Sequence, residues 1–255
     1  MDNKKYELST PQRSIWLTEQ IYTETNIGTI SGTLFIDENV NVDLLKETIK
    51  IFINTNDSMR TRIIVEDGNP KQFINDVDNP KIEVLNLNDT VELNKLEQQV
   101  SSHYFNLLNS ELYIFKIFKL KNGTGGIVSN LHHLISDAWS FGIMSKQLKD
   151  IYEKLLIKED SASIRPSYIE YIENEKNYLS SEKYTKDKEY WENRFSDVPE
   201  LACIKPYKNE NSNTKANRYK AQLDIKLCDA INKYAKENNT SAYSFLISIY
   251  SILKI

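Results

Sequence analysis

GGIVSNLHHLISDAWS, residues 125–140, sets two adjacent histidines and an aspartate between an apolar, β-branched run and a helical pattern. Residues 125–133 are rich in β-branched and apolar types and predict a strand. Side chains alternate along a strand, so Ile127, Ser129, Leu131 and His133 share one face while Val128, Asn130 and His132 share the other. The two adjacent imidazoles therefore do different jobs. After a short turn comes SFGIMSKQLKDIYEKLL, in which Met144, Leu148, Ile151 and Leu155 recur at helical spacing and mark one buried face. Asp137 falls in the strand-to-helix turn, near the positive end of that helix, where a carboxylate stays ionised and anchors a basic partner. Taken singly, a histidine at a strand end is a structural residue and an aspartate before a helix an ordinary cap. No other stretch concentrates groups that move a proton near neutral pH, and the pair, the spacing and the context together favour a site.

Outward from this segment the elements alternate. ELYIFKIFKL (111–120), joined by KNGT, forms an antiparallel pair with the histidine strand. Upstream, Thr10 and Pro11 make a cap and first turn for a helix through Arg13, Trp16 and Ile21, and GTISGTLFID (28–37) reads as a strand. Asn41 or Asp43 opens a helix with Leu45, Ile49 and Phe52 inward; MRTRIIVE, the turn DGNP and KQFIN then form a hairpin. Asp89 with Glu92 is a capping-box pattern for a helix carrying Leu93, Leu96, Val100, Tyr104 and Leu107, with His103 inside it. Beyond Leu156 the chain turns polar: a loop, then exposed helices to Tyr190, with a solvated face around Lys183 to Glu192, and a surface connection over 205–217. RYKAQLDI (218–225) reads as a strand and KLCDAINKYAKENN (226–239) as a helix; Thr240 or Ser241 caps a last helix to Ile255. That last helix has almost no polar face, and such a helix must be enclosed, so the chain is expected to be a fragment or to be completed by a partner.

Composition bounds the function. At 255 residues and 40% hydrophobic content the chain can bury one large or two modest cores. A net charge of -4 with scattered lysines offers no basic stripe, so no nucleic-acid partner is expected. Cys203 and Cys228 stand apart without histidine neighbours, which indicates no metal site, no disulfide framework and a reducing cytoplasm. The start, MDNKKYELSTPQ, lacks a signal-peptide core, and SFLISIYSILKI is too short to cross a bilayer, so no membrane association is expected. Seven glycines make no phosphate-binding loop, and the 15 tyrosines are spread as packing residues.

Four segments together carry a family resemblance. LSTPQRSIWL (8–17) is similar to the pattern SxAQxRxWxL at Ser9, Gln12, Arg13, Trp16 and Leu17. NDSMRTR (56–62) resembles RHExLRTxF, with Asp57 for Glu, Met59 for Leu, and Arg60 and Thr61 retained. LHHLISDAWS matches HHxxxDG at His132, His133 and Asp137; SYIEYIEN (167–174) is similar to YxDYAxW at Tyr168, Glu170 and Tyr171, and YW at 190–191 suits the same family. The chain thereby resembles the condensation domains of nonribosomal peptide synthetases, relatives of chloramphenicol acetyltransferase.

The resemblance implies an α/β fold: a chloramphenicol acetyltransferase-like two-layer sandwich with a mixed, largely antiparallel sheet and flanking helices. Residues 1–178 would be the N-terminal lobe, and 179–255 a linker and the truncated start of a second lobe whose remainder is missing. It implies a cytoplasmic enzyme of secondary metabolism that binds no cofactor directly. Donor and acceptor carrier proteins, with adenylation domains as neighbours, present substrates on phosphopantetheine, and the acceptor amine attacks the donor thioester to form an amide. By matching position His133 is catalytic; His132 is structural; Asp137 pairs with an arginine, for which Arg60, Arg62 and Arg13 are the candidates; Ala138, Trp139 and Ser140 complete the motif. An α-amino group titrates at about 8 and an imidazole at about 6.5, so the ring either takes the proton, usually worth about 10²–10⁴ in rate, or orients the amine. Two departures bear on this. Ala138 replaces a glycine, which restricts the turn if positive φ is needed there, and Thr55 and Asn56 replace a leading Arg and His, removing one partner for Asp137. A coenzyme A-dependent acyltransferase and a non-catalytic docking module of the same fold are the alternative readings.

Overall fold

The structure, a computed structural model, describes residues 4–76, 80–160, 165–197 and 221–252. The chain begins with β1 (Tyr6–Glu7), α1 (Thr10–Ile21), β2 (Thr29–Glu38) and α2 (Val42–Thr55). A short 3-10 helix (Asp57–Arg60), β3 (Thr61–Glu66), β4 (Asn69–Ile74), β5 (Glu83–Leu87) and α3 (Thr90–Ser101) follow. Next come β6 (Tyr113–Leu120), β7 (Thr124–His132) and α4 (Ala138–Leu156), then α5 (Tyr168–Leu179), α6 (Glu182–Arg194), α7 (Ile225–Glu237) and α8 (Ala242–Ile252).

Four strands form a mixed sheet in the order β2-β7-β6-β5, antiparallel except for the parallel β5–β6 pair. Strand alternation sorts its two faces as the sequence predicts. Ile117, Ile127 and Leu131 pack with Leu45, Ile49 and Phe52 of α2 and Met144, Leu148 and Ile151 of α4. Phe118 and Val128 meet Leu93, Leu96 and Val100 of α3 in a second, smaller core. The flanked, largely antiparallel sheet is the expected architecture. A smaller sheet, β1-β4-β3, is built on the predicted hairpin, whose Asp67 and Gly68 both take positive φ, as a two-residue turn that matches the strand twist requires.

Helix ends differ from expectation where local hydrogen bonds decide. In α1 the cap is Ser9 rather than Thr10, because Ser9 and Gln12 close a reciprocal capping box. The third helix stops at Ser101, leaving His103, Tyr104 and Leu107 outside it. Ser102 ends it there, its hydroxyl and its backbone N–H both donating to the Gln98 carbonyl. Leu107 still reaches the core, through an irregular segment pinned by Asn109 N–H to the Ile63 carbonyl at 2.8 Å. His103 is exposed, edge-on to Phe105.

Two compact units are present, residues 1–190 and 191–255. In the second, Tyr234 of α7 and Phe245 of α8 bring their rings to 5.1 Å, and Ile231 and Ala235 are buried. Of the strand expected over 218–225, residues 218–220 lie outside the described residues, 221–224 are irregular and Ile225 begins α7, because Asp224 caps that helix by accepting from Lys226 N–H. Ser241 caps α8, which has no buried residue among those described. The connection over 205–217 and Cys203 lie outside the described residues, and Cys228 is a free thiol. No helix among the described residues is long and apolar enough to cross a membrane.

Candidate functional site

β7 ends one residue earlier than expected. His132, opposite Thr29, is its last paired residue, and His133 opens the turn to α4. His132 is buried, and its Nδ1 accepts the Leu134 backbone N–H at 3.1 Å, so in the neutral ring the proton sits on Nε2. Burial, with His133 beside it as a smaller cause, holds its pKa down to about 4.

His133 is fixed differently. Its backbone N–H donates to the Gly28 carbonyl at 2.7 Å, and its Nδ1 lies 3.0 Å from the Ser136 carbonyl. A carbonyl only accepts, so in the neutral ring Nδ1 carries the proton and Nε2 keeps its lone pair. The ring lines a cavity of about 620 Å³ together with Gln12, Asp57, Asp137, Ser140 and Tyr168.

Asp137 also lines the cavity, but among the described residues its partners are not the expected arginines. Among the described residues none of the three candidate arginines pairs with it: Arg13 bonds Glu7 at 3.0 Å, Arg60 donates to the Asn75 carbonyl, and buried Arg62 donates to the Thr61 carbonyl with Glu111 at 3.9 Å. The turn aims Asp137 back at its own helix, where it accepts from the Ser140 hydroxyl and backbone N–H, both at 2.7 Å. The Ser140 hydroxyl first, then that N–H, hold its carboxyl below the usual range. The helix N-terminus supplies the positive charge the arginine was expected to bring. Ala138 is the first helical residue, so no positive φ is needed there and the glycine is dispensable. Trp139 points outward, 80% exposed.

What holds the turn in place is a polar frame that joins the four sequence motifs. Gln12, buried in α1, donates to the Leu134 carbonyl at 2.9 Å and exchanges hydrogen bonds with buried Gln72 at 3.0 and 2.7 Å. Its side-chain oxygen also takes the Ser9 N–H, so the buried amide is fully satisfied. Ser9 and Tyr168 share a hydrogen bond at 2.8 Å; Asp57 accepts from the hydroxyl of Ser167, the cap of α5, and from Tyr168 N–H; Asn56 donates to Gln147 of α4. Burial pushes the Tyr168 phenol up, and its ring stacks on Tyr171. Gln72 was not legible as a site residue, because only strand pairing across β1, β4 and β3 places it under α1. Among the described residues no cluster of three or more His, Cys, Asp or Glu side chains is placed to hold a metal ion.

The profile of condensation domains matches residues 2–253. The chain belongs to the condensation-domain family. This condensation domain is 28% identical over 254 residues to surfactin synthase subunit 1 of Bacillus subtilis (strain 168), covering 96% of this chain and 7% of that protein. It is 24% identical over 259 residues to bacitracin synthase 3 of Bacillus licheniformis, covering 99% of this chain and 4% of the relative. Such relatives are thus at least ten times longer than the segment they share with it. Its fold is that of the starter condensation domain of rhizomide synthetase RzmA (TM-score 0.73, 20% identity, 78% of this chain and 50% of that one). It also matches the first condensation domain of the calcium-dependent antibiotic synthetase (TM-score 0.69, 17% identity, 77% and 49%).

Proposed function

We propose that residues 1–178 form the N-terminal lobe, and 179–255 a linker and the opening of the second lobe, of a condensation domain that joins two carrier-tethered thioesters through an amide. The observation that carries this reading is His133: its proton is tied to the Ser136 carbonyl, which leaves Nε2 as the acceptor on a ring lining the cavity. The acceptor amine nitrogen attacks the thioester carbon, a C–N bond forms, and Nε2 takes the proton the nitrogen loses. The C–S bond then breaks, and Nε2 passes that proton to the departing sulfur, which leaves as a thiol. Both substrates arrive on phosphopantetheine of partner carrier domains, within a longer synthetase that also holds adenylation domains; relatives named as synthases, one a dimodular nonribosomal peptide synthase, support this. The remaining half of the fold would close the cavity, since the RzmA domain is twice the length this chain covers.

A coenzyme A donor is the second reading. A mutant of the RzmA domain, 19% identical to this chain, was solved in complex with C8-CoA. Against it here, the charged residues lining the cavity are Asp57 and Asp137, with no lysine or arginine among the described lining residues to meet a diphosphate. The test joins this chain to the other half of the fold and follows products by mass spectrometry, with acyl donors on a carrier domain or on coenzyme A and an aminoacyl carrier as acceptor. Amide from the carrier pair supports the proposal. Product from the coenzyme alone would make the protein a coenzyme A-dependent acyltransferase, and none from either a docking module.

A further inference from the structure

A buried acid beneath the histidine pair belongs to none of the four motifs. Glu19, near the end of α1, is 6% exposed, and its Oε1 lies 3.4 Å from His132 Nε2. Among the described residues neither atom has any other hydrogen-bond partner, and their present alignment falls short of a hydrogen bond. Gly28 makes room for this meeting. A Cβ there would sit 2.1 Å from Glu19 Oε1 and 3.0 Å from His132 Nε2. The same glycine accepts the His133 N–H through its carbonyl. Burial pushes the Glu19 carboxyl up, and a hydrogen bond from the Gly28 backbone pulls the other way.

We propose that Glu19 is a positioning residue for His133, acting as the acceptor that faces His132 Nε2–H and so keeps His132 Nδ1 free to hold the Leu134 N–H. The proposal rests on His133 being the residue that works in the cavity. Its logic is one of proton placement. His132 has one proton for two nitrogens, and the Leu134 N–H claims the bare one. Without an acceptor at position 19, Nε2–H is left as an orphan donor in an apolar interior. Moving the proton to Nδ1 removes that orphan but breaks the bond to Leu134. In that second case one of the two clamps on Leu134 is lost, the other being Gln12 on its carbonyl. The turn that ties His133 Nδ1 to Ser136 then relaxes.

The test reads the rings directly, in long-range proton–nitrogen spectra of the 255-residue chain labelled at histidine, compared with Glu19→Gln and Glu19→Met. The wild type should show His132 as the Nε2–H form and His133 as the Nδ1–H form. Glu19→Gln, which keeps a side-chain oxygen, should retain both signatures. Glu19→Met, of similar length without an acceptor, should lose the His133 Nδ1–H signature to an averaged one. Unchanged signatures in Glu19→Met, or a wild-type His132 protonated at Nδ1, would overturn the proposal. Should the methionine variant not fold, the wild type and Glu19→Gln decide it, since loss of the His133 signature in the glutamine variant also overturns it. These spectra need no substrate. Tautomers that shift as expected beside a His133→Ala enzyme with full turnover would sink the proposed reaction and leave the brace standing.

Discussion

The interior side of the turn after β7 and its cavity side use the same residue type to opposite ends. On the interior side His132 is buried among Glu19, Gly28 and Leu134, deprived of water and held neutral. On the cavity side His133, one residue later, is half-buried, and a backbone carbonyl chooses its tautomer. Both rings are oriented by main-chain groups of the same five-residue turn, one accepting an N–H and the other giving its proton to a C=O. The two rings thus differ in which nitrogen the backbone occupies and in access to solvent, not in the imidazole itself.

The largest expected effect probes the interior side with acid. The folded pKa of His132, about 4, lies below the ordinary 6.5, so between those values the unfolded chain binds a proton that the folded one refuses. Stability from this group is therefore intact above pH 6.5 and falls as pH drops toward 4, by up to about 3 kcal/mol. Glu19, whose pKa is raised, acts with the opposite sign, its contribution being lost as pH rises through its folded pKa. Urea titrations of wild type and His132→Asn at several pH values isolate the histidine, since asparagine keeps an acceptor and does not titrate. Parallel pH dependences in the two proteins would remove the contrast between the rings.

Next in size is the frame between the two sides. Gln12→Leu leaves the Leu134 carbonyl and Gln72 without their buried partner and should cost about 1–3 kcal/mol in chemical unfolding. On the cavity side, Asp137→Ala removes an N-cap and should cost about 1 kcal/mol, whereas Asp137→Asn should cost a few tenths, because asparagine caps as well. An aspartate held by an arginine would make the two substitutions equally damaging. Smallest is Trp139→Ala, expected within about 0.5 kcal/mol of wild type, since that side chain is 80% exposed.

Much of this was legible from residue order. The period of two over 125–132 and the helical recurrence of Met144, Leu148 and Ile151 placed the strand, the turn, the helix and the histidine pair between them, and the role expected of His133 followed from the resemblance. Less legible was the partner of each polar group. Asp137 looked ready for an arginine because sequence does not reveal whether a turn aims a carboxylate outward or back at its own helix. Gln72 and Glu19 carry no local pattern at all; strand register sets the first under α1, and a missing Cβ at Gly28 sets the second beside His132. The early end of α3 turned on two serine hydroxyls competing for the last carbonyls, a local contest that apolar spacing does not record. In the second unit, α8 shows the limit of periodicity, since a helix apolar except for a stripe of Ser244, Ser248 and Ser251 carries little mark of which face is to be covered.

Amide formation by His133→Ala beside His132→Asn, measured in a protein that joins this chain to the rest of the fold, probes the division of labour between the two rings most sharply. That division requires His133→Ala to lose about 10²–10⁴ in rate, with stability nearly unchanged, while His132→Asn keeps most of the rate at neutral pH. Equal turnover in His133→Ala and wild type would contradict it.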